Sequence, residues 1–173
     1  QLKPIFLGGG FGGKIYNPQA IEVAKLAKIT GKPVQLNYTR KEEFFYDYFR
    51  PAAVVKARSA VSKEGLILNW NYDVYYAGAR GSQFFYETEN KHVQTLSDEK
   101  EGEKGHLFKT GAWRAPANNT NTFVRESQLD TMASKIGMDP LEFRFKNLRN
   151  EQMIRTLKLA ADKFGWQPIK GPS

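Results

Sequence analysis

The protein has 173 residues, 40% of them hydrophobic, so it can bury one sizeable core, and we expect a single domain or a compact part of a larger one. It has no Cys, which excludes disulfides, thiolate zinc sites and iron–sulfur ligation by this chain, and no apolar run is long enough to span a membrane. The net charge is +8, but its 26 Lys and Arg are interleaved with 18 Asp and Glu, which favours a solvated or partner-facing surface over a nucleic-acid-binding face.

The first predicted elements are a short strand and a helix. The segment PIFL (4–7) predicts a strand that runs into a glycine-rich stretch. Asn17 is placed to cap a helix whose first residue is Pro18, and Gly31 is placed to end it. The face of this helix that we expect to be buried carries Ala20, Val23, Ala24 and Ala27.

Three more strands are predicted in the next part of the chain. The segment PVQLNYT (33–39) has strand composition, and apolar residues recur at every second position over 53–61 and 66–76. Between the last two, SKEGL predicts a hairpin turn with Gly65 in the left-handed conformation. The residues that we expect to be buried on the last strand are Leu66, Leu68, Trp70, Tyr72 and Val74.

The rest of the chain predicts a surface loop followed by helices. Residues 87–105 are polar and charged, which is typical of a loop, and 167–173 have the composition of a linker. Asp139 with Pro140 and Glu142 predicts a helix start with a capping box, while Gly137 and Gly165 predict helix ends. Two apolar stripes predict the buried helix faces: Leu129, Met132, Ala133 and Ile136, then Met153, Leu157, Ala160 and Phe164. The predicted fold class is α+β, with mixed strands and helices packed on one side.

The stretch FLGGGFGGKIYNP has five glycines at the six positions from Gly8 to Gly13, around a single Phe11. It contains two phosphate-binding patterns, G-x-G-x-x-G and G-x-x-x-x-G-K. The first requires a helix that opens inside the motif, whereas this helix starts at Pro18. The second requires Ser or Thr after the Lys, whereas the chain has Ile15. We therefore interpret the glycines as a turn whose bare backbone allows a large ligand to approach.

A second unusual stretch is TGAWRAPANNT, which begins at Thr110. It places Arg114 at a turn that Pro116 restrains, directly before a predicted helix. An Arg at such a turn is most often a surface residue. Next to Trp113, however, it can be held rigidly toward a cleft.

Taken together, these segments resemble one family. GGGFGGK, followed by WRAP, FVRESQLDTMA and GMDPLEFRFKNL, is similar to the molybdopterin-binding large subunit of the xanthine dehydrogenase and aldehyde oxidase family of molybdenum hydroxylases. GAWRAPANN most resembles the bacterial isoquinoline 1-oxidoreductase type. The resemblance extends over nearly the whole chain, including TRKEEFF (39–45) and KFGW (163–166). Either main motif alone is weak, whereas their combination is specific.

The resemblance implies a molybdenum-molybdopterin enzyme that hydroxylates an aldehyde or a carbon next to nitrogen, with oxygen from water. It implies that the glycine loop and the later arginine turn contact the cofactor. The cofactor-binding residues that it implies are Gly10, Phe11, Gly12, Gly13 and Arg114. Iron–sulfur clusters must then lie on a partner domain or subunit, since this chain has no Cys.

The sequence also departs from the family pattern at two positions. Xanthine dehydrogenases have a purine-binding Glu where this chain has Ile15, and a Gly-Phe-Gly sequence where it has Ala115, Pro116 and Ala117. These departures disfavour purines and favour an aldehyde or a less polar N-heterocycle. Ile15 and Pro116 are accordingly our candidate substrate-pocket residues. The family's catalytic Glu and most pterin contacts are expected outside these 173 residues, so we assign no catalytic residue and no metal ligand.

We expect residues 1–173 to be an internal fragment of a molybdopterin-binding domain, inactive alone. Its expected partners are the remaining domains, an iron–sulfur subunit or electron acceptor, and a small substrate, with no nucleic acid. Two alternatives stay open: a nucleotide-binding protein that uses the loop Gly8–Lys14, and a basic interaction module. His92 and His106 lack metal-ligand partners in the sequence, and we expect both to be exposed to solvent.

Overall fold

The computed structural model describes residues 6, 8–96 and 109–169, which belong to two compact units. The first unit combines Gln1–Ala52 with Lys104–Pro116, and the second combines Ala53–Glu103 with Ala117–Ser173. Each unit is therefore built from two separate stretches of chain. In the part of the chain that is described, no helix has the length and apolar character needed to cross a membrane.

Two helices and one strand-like bridge form the first unit. Helix α1 spans Pro18–Thr30 and ends at Gly31, whose φ of 62° is left-handed, as the sequence predicts. Asn17 precedes the helix, but no side-chain capping bond from it is described. On the predicted inner face, Val23 and Ala27 are half-buried whereas Ala20 and Ala24 are exposed. Helix α2 spans Arg40–Tyr46, and an isolated parallel bridge joins Phe49 to Thr110.

The strand predicted over 33–39 is wrong. These residues form no ladder with any described residue, although their side chains alternate between exposed and half-buried over much of the segment. Thr39 instead caps α2: its hydroxyl accepts from the Glu42 amide at 3.3 Å, and the Glu42 carboxylate accepts from the Thr39 amide at 2.7 Å. The segment with strand-like composition therefore ends in the capping box that starts α2. The strand predicted over 4–7 lies outside the described residues, apart from Phe6.

A three-stranded mixed sheet is the centre of the second unit. Its strands are β1 (Val54–Val61), β2 (Ile67–Tyr75) and β3 (Asn90–Leu96), in the order β1-β2-β3. The β1–β2 pair is antiparallel and turns through Gly65 (φ 86°), as predicted, whereas β2 and β3 are parallel. The prediction of a surface loop over 87–105 is therefore wrong for Asn90–Leu96, which form β3. That strand is polar and largely exposed, so it carries no alternating apolar signal.

A β-bulge changes which β2 side chains are buried. Ala60 pairs with Asn69 and Val61 pairs with Ile67, so Leu68 is the extra residue. Trp70, Tyr72 and Val74 are buried as predicted, but the bulge reverses the alternation before them. Ile67 is consequently in the core, while Leu66 and Leu68, which the period-two pattern places inside, are exposed.

Three helices complete the second unit: α3 (Asn118–Lys135), α4 (Pro140–Asn147) and α5 (Glu151–Phe164). The stripe predicted on α3 is confirmed, with Leu129, Met132 and Ala133 buried against the β2 aromatics. On α5 the prediction is partly wrong. Its partly buried face carries Met153, Ile154, Leu157 and Ala161, and Ala160 and Phe164 are exposed.

Asn147, at the end of α4, joins this helix to the β1–β2 turn. It is 1% exposed. Its side-chain oxygen accepts from the Ile67 amide at 3.0 Å, and its side-chain nitrogen donates to the carbonyls of Gly65 and Phe143 at 2.8 Å each. Its own carbonyl accepts from the Glu87 amide. A buried amide with all these bonds satisfied fixes the position of the turn and of the connection that leads to β3.

Asp139 caps α4 and also holds the end of the described chain. One carboxylate oxygen accepts from the amides of Leu141 and Glu142, and the other accepts from the Trp166 indole and the Ile169 amide. Partial burial alone would raise the pKa of this carboxyl, but these four hydrogen bonds outweigh it and hold the pKa below the ordinary value. The predicted N-cap is confirmed, whereas the reciprocal bond of the predicted capping box, from the Asp139 amide to the Glu142 side chain, is not among the described bonds.

We expect Asp139→Ala to lower the free energy of unfolding by about 1–3 kcal/mol at pH 7, because both the cap and the bonds to Trp166 and Ile169 are lost. Since the folded-state pKa is depressed, the difference from wild type should be present above about pH 4 and should be lost as the pH falls through the folded pKa. Urea unfolding of the 173-residue chain at pH 7, 5 and 3 measures this. Asp162→Ala, at an exposed position of α5, is the control, and a loss that does not change with pH would contradict the assignment.

Candidate functional site

The glycine loop, residues 8–16, is a tight turn with several backbone angles in the left-handed region. Gly9 and Gly12 have φ values of 119° and 105°, and Phe11 itself has a φ of 50°. Two bonds close the turn, from the Gly13 amide to the Gly10 carbonyl at 2.9 Å and from the Ile15 amide to the Gly12 carbonyl at 3.2 Å. Because a residue with a Cβ rarely adopts such a φ, the conformation at Phe11 is strained and must be held by its surroundings.

Gly12 lies directly against the backbone of the arginine turn, residues 110–116. A Cβ at Gly12 would overlap the Ala112 carbonyl and lie 2.8 Å from the Cα of Trp113. This close backbone approach brings the two unusual stretches of the sequence together. It also adds to the sequence prediction, which ascribed the bare backbone to a ligand, because the chain itself occupies the space beside Gly12.

Phe11 and Arg114 meet as a result of this approach. The Arg114 guanidinium carbon lies 3.8 Å from the centroid of the Phe11 ring, which is well within cation–π distance. Both side chains are exposed, Phe11 by 59%. The pair therefore presents a positive charge and an aromatic edge side by side on an open surface.

The segment Tyr48–Arg50 forms hydrogen bonds with the arginine turn and with Lys109, which precedes it. The Phe49 amide donates to the Lys109 carbonyl at 2.8 Å, and the Gly111 amide donates to the Phe49 carbonyl at 3.0 Å. The Trp113 indole donates to the Tyr48 carbonyl at 2.8 Å, and Arg50 donates to the Arg114 carbonyl at 2.8 Å. The Tyr48 ring also packs on Tyr16, at the end of the glycine loop, with ring centroids 4.6 Å apart. One short segment thus contacts both parts of the site.

The five glycines of the loop do not have the same role. A Cβ at Gly9 would meet the Phe11 ring at 3.1 Å, and one at Gly10 would meet the Lys14 side chain at 2.9 Å. In contrast, a Cβ at Gly8 meets nothing within 4 Å, and one at Gly13 meets only the Gly10 carbonyl, at an ordinary 3.6 Å. Neither of these two has a positive φ. No described contact within the chain therefore requires glycine at Gly8 or Gly13.

The backbone of the loop leaves donors free. Within the described ranges, no backbone carbonyl receives the amide N–H of Phe11 or Gly12. Lys14, Arg50 and Arg114 add three cationic side chains to the same unit. Amides without a described acceptor, with the Arg114 guanidinium on the neighbouring Phe11 ring, suit a large anionic ligand. Metal ligation is a different matter, because the described residues contain no group of three or more His, Asp or Glu that could hold an ion.

The predicted site residues are thus partly brought together. Phe11, Gly12 and Arg114 are in contact or adjacent, and Gly10 and Gly13 close the same turn. The two candidate pocket residues lie at the ends of this arrangement: Ile15 is 61% exposed and Pro116 is half-buried. His92, on β3, has an exposed side chain with Asp73 at 3.9 Å, while His106 lies outside the described residues.

The sequence analysis missed the role of Tyr48–Arg50. The segment TRKEEFF just before it was noted only as part of the resemblance. A local signal existed, since Arg50 precedes Pro51 in an otherwise aromatic stretch, YDYFRP. Its function depends on pairing with residues 109–114, however, and such long-range contacts leave no periodic pattern in the sequence.

A scan against models of protein families matches residues 2–148 to the family described as molybdopterin cofactor-binding domain. The match includes the glycine loop, the arginine turn and every element between them. The chain belongs to this family. The cofactor after which the family is named is large and anionic, and the free amides and cationic side chains of the site fit such a group.

Curated relatives and solved structures agree with this membership. The chain is 27% identical over 184 residues to the aldehyde oxidoreductase molybdenum-binding subunit PaoC of Escherichia coli K12, covering 94% of this chain and 24% of that protein. It is 29% identical over 153 residues to the aldehyde oxidoreductase of Megalodesulfovibrio gigas, covering 82% and 16%. The chain thus spans at most about a quarter of the length of these relatives.

Two structures show the same fold at lower identity. The aldehyde oxidoreductase from Desulfovibrio gigas superposes with a TM-score of 0.77 at 24% identity, covering 92% of this chain and 20% of that one. Quinoline 2-oxidoreductase from Pseudomonas putida 86 superposes with a TM-score of 0.76 at 18% identity, covering 92% and 24%. The α+β fold class expected from the resemblance is confirmed. The narrower isoquinoline 1-oxidoreductase type stays a prediction.

We expect Gly12→Ala to destabilise the fold and Gly13→Ala to leave its stability nearly unchanged. The first should lower the free energy of unfolding by about 1–3 kcal/mol, because a Cβ at Gly12 takes a strained φ and overlaps the Ala112 carbonyl. The second should change it by no more than about 0.5 kcal/mol. Urea unfolding of the two variants, followed by circular dichroism, measures both. Equal stabilities would contradict the backbone contact at Gly12.

Proposed function

We propose that the protein containing this chain is a molybdenum hydroxylase, to which the first unit contributes one wall of the cofactor site. The observation that carries the proposal is the backbone contact at Gly12, which places Phe11 under Arg114 beside free amides in a molybdopterin cofactor-binding domain. When bound, the molybdenum cofactor supplies the two-electron oxidation, with oxygen from water.

The residues of this chain bind and orient rather than transfer protons. The amides of Phe11 and Gly12, which have no backbone acceptor among the described residues, are proposed to donate to an anionic oxygen, and the close packing at Gly12 would hold them in position before any ligand arrives. Arg114 adds a fixed positive charge, since its guanidinium rests on the Phe11 ring. Gly13, like Gly8, has no tight contact in the described chain, and its open backbone is proposed to leave room for close approach of the cofactor.

The proposed substrate is an aldehyde or a weakly polar N-heterocycle. Ile15 is an apolar and largely exposed side chain three residues after Gly12, and Pro116 is the last residue of the arginine turn. Neither side chain can form the charged hydrogen bonds that a purine requires. The names of the relatives include aldehyde oxidoreductase and nicotinate dehydrogenase but also xanthine dehydrogenase, so they do not discriminate among these substrate classes, and the substrate proposal rests on Ile15 and Pro116.

The proposed partners follow from the composition and the length of the chain. Without Cys, these residues hold no iron–sulfur cluster, so the electrons must leave through another domain or subunit. The catalytic base is proposed to lie outside this chain as well. Relatives such as PaoC are named as subunits, which is consistent with a multi-subunit enzyme.

The test is to purify the full-length protein with its partner subunits and to measure molybdenum by elemental analysis, then turnover with an artificial electron acceptor. We expect stoichiometric molybdenum, oxidation of benzaldehyde or quinoline, and incorporation of labelled oxygen from water into the product. Xanthine should be turned over at least about tenfold more slowly, because its polar ring groups would lack hydrogen-bond partners at Ile15 and Pro116, and a polar group left unpaired lowers the rate by about tenfold or more. A well-folded protein without molybdenum, or one that prefers xanthine, would contradict the proposal.

The same proposal predicts weak binding to nucleic acids in spite of the net charge of +8. We expect random duplex DNA to bind the 173-residue chain no more tightly than about 10⁻⁴ M at physiological salt, without sequence preference. Fluorescence anisotropy over a range of salt concentrations measures this. A dissociation constant below about 10⁻⁷ M with a steep salt dependence would instead support the basic interaction module.

A further inference from the structure

Arg50 is the side chain that contacts the arginine turn at its most strained point. Its Nη2 donates to the carbonyl oxygen of Arg114 at 2.8 Å. That carbonyl belongs to the peptide group that leads into Ala115, whose φ is 55°. Because a left-handed φ is unfavourable for a residue with a Cβ, the orientation of this peptide group has to be imposed by contacts around it.

Tyr48 and Phe49 fix the backbone position from which the Arg50 side chain extends. Phe49 pairs with the chain on both sides of Thr110, and the Trp113 indole donates to the Tyr48 carbonyl. Gly111 fits closely, because a Cβ there would lie 2.8 Å from the Cβ of Tyr48. The backbone of the segment is therefore held in register with the turn, and Arg50 reaches the Arg114 carbonyl from a defined position.

The contact also determines where the Arg114 side chain points. Its guanidinium lies 3.8 Å from the centroid of the Phe11 ring, and Phe11 itself has a left-handed φ. The carbonyl and the side chain belong to the same residue, so holding the carbonyl limits the backbone rotations at Arg114 that would carry its side chain away from this ring. Arg50 is also a cation, like Arg114, so it does not hold Arg114 by charge pairing with its guanidinium; the described contact between the two residues is the bond to the carbonyl.

We propose that Arg50 is a positioning residue: by holding the Arg114 carbonyl, it keeps the arginine turn in its strained conformation and the Arg114 guanidinium over Phe11. The inference rests on the proposed function only for its effect on turnover. Its structural content, an arginine turn that depends on Arg50, stands by itself.

The experiment compares Arg50→Met, Arg50→Lys and wild type in the full-length protein with its partner subunits. Arg50→Met keeps the length of the side chain but removes every donor. We expect it to lower kcat about tenfold to a hundredfold, the usual effect of a misplaced site group, with molybdenum content and unfolding temperature close to wild type. Arg50→Lys keeps one charged donor and should recover part of kcat.

A second readout does not depend on activity. Hydrogen–deuterium exchange of the peptide covering residues 109–116 should be faster in Arg50→Met than in wild type, with unchanged exchange in α3 and α5. Arg58→Met, at an exposed position on β1, is the matched control and should change neither readout. Unchanged kcat and exchange in Arg50→Met would overturn the proposal, and so would a general loss of molybdenum and stability.

The two proposals fail in different ways. If wild type lacks molybdenum and turnover, the proposed function is wrong, but exchange in residues 109–116 still decides whether Arg50 positions the turn. If wild type is active and Arg50→Met matches it in both readouts, only the positioning role is wrong.

Discussion

The arrangement of the candidate site depends on a backbone-to-backbone contact at Gly12. No side chain larger than hydrogen fits between this residue and Ala112, and the same contact decides that Phe11 and Arg114 meet. The two bonds that close the loop use Gly13 and Ile15 as donors, and among the described residues no backbone carbonyl accepts from the amides of Phe11 and Gly12. The lack of a side chain at Gly12 therefore decides that the Arg114 charge lies next to the glycine loop.

The segments that carry the family resemblance divide into two groups with different physical roles. The glycine loop and the arginine turn form the candidate site. FVRESQLDTMA and LEFRFKNL instead provide the internal support of the second unit. Glu126 accepts hydrogen bonds from Tyr86, Arg125 and Arg144, and burial raises the pKa of Tyr86. A motif that identifies a family is thus no guide by itself to which residues touch the ligand.

Local chemistry made much of the fold predictable. Gly31, Gly65, Asp139 and Gly165 ended or began elements where the sequence indicated, because caps and left-handed turns depend on neighbours in the chain. The errors arose where distant residues decide. Strand β3 is polar and is defined by its pairing with β2, and the bulge at Leu68 reversed an alternation that the sequence shows as continuous.

The site followed the same division. Its glycines and Arg114 could be singled out as unusual, but their meeting could be expected only through the family resemblance. The contact of Gly12 with Ala112, and the support that Tyr48–Arg50 gives to the turn, are properties of the folded chain. Neither leaves a periodicity, and the residues involved are individually common.

The order of these contacts along the chain has a consequence for biosynthesis. Gly12 contacts Ala112, so at ribosomal rates of 5–20 residues per second the loop is made roughly 5–20 s before its partner. In the second unit, the carbonyls of Gly78 and Arg80 are likewise bound by Asn121, which is translated later. Until the arginine turn has been made, the glycine loop lacks the backbone against which Gly12 packs. The candidate site is therefore assembled late in folding, and nascent chains that stop short of the arginine turn cannot present it.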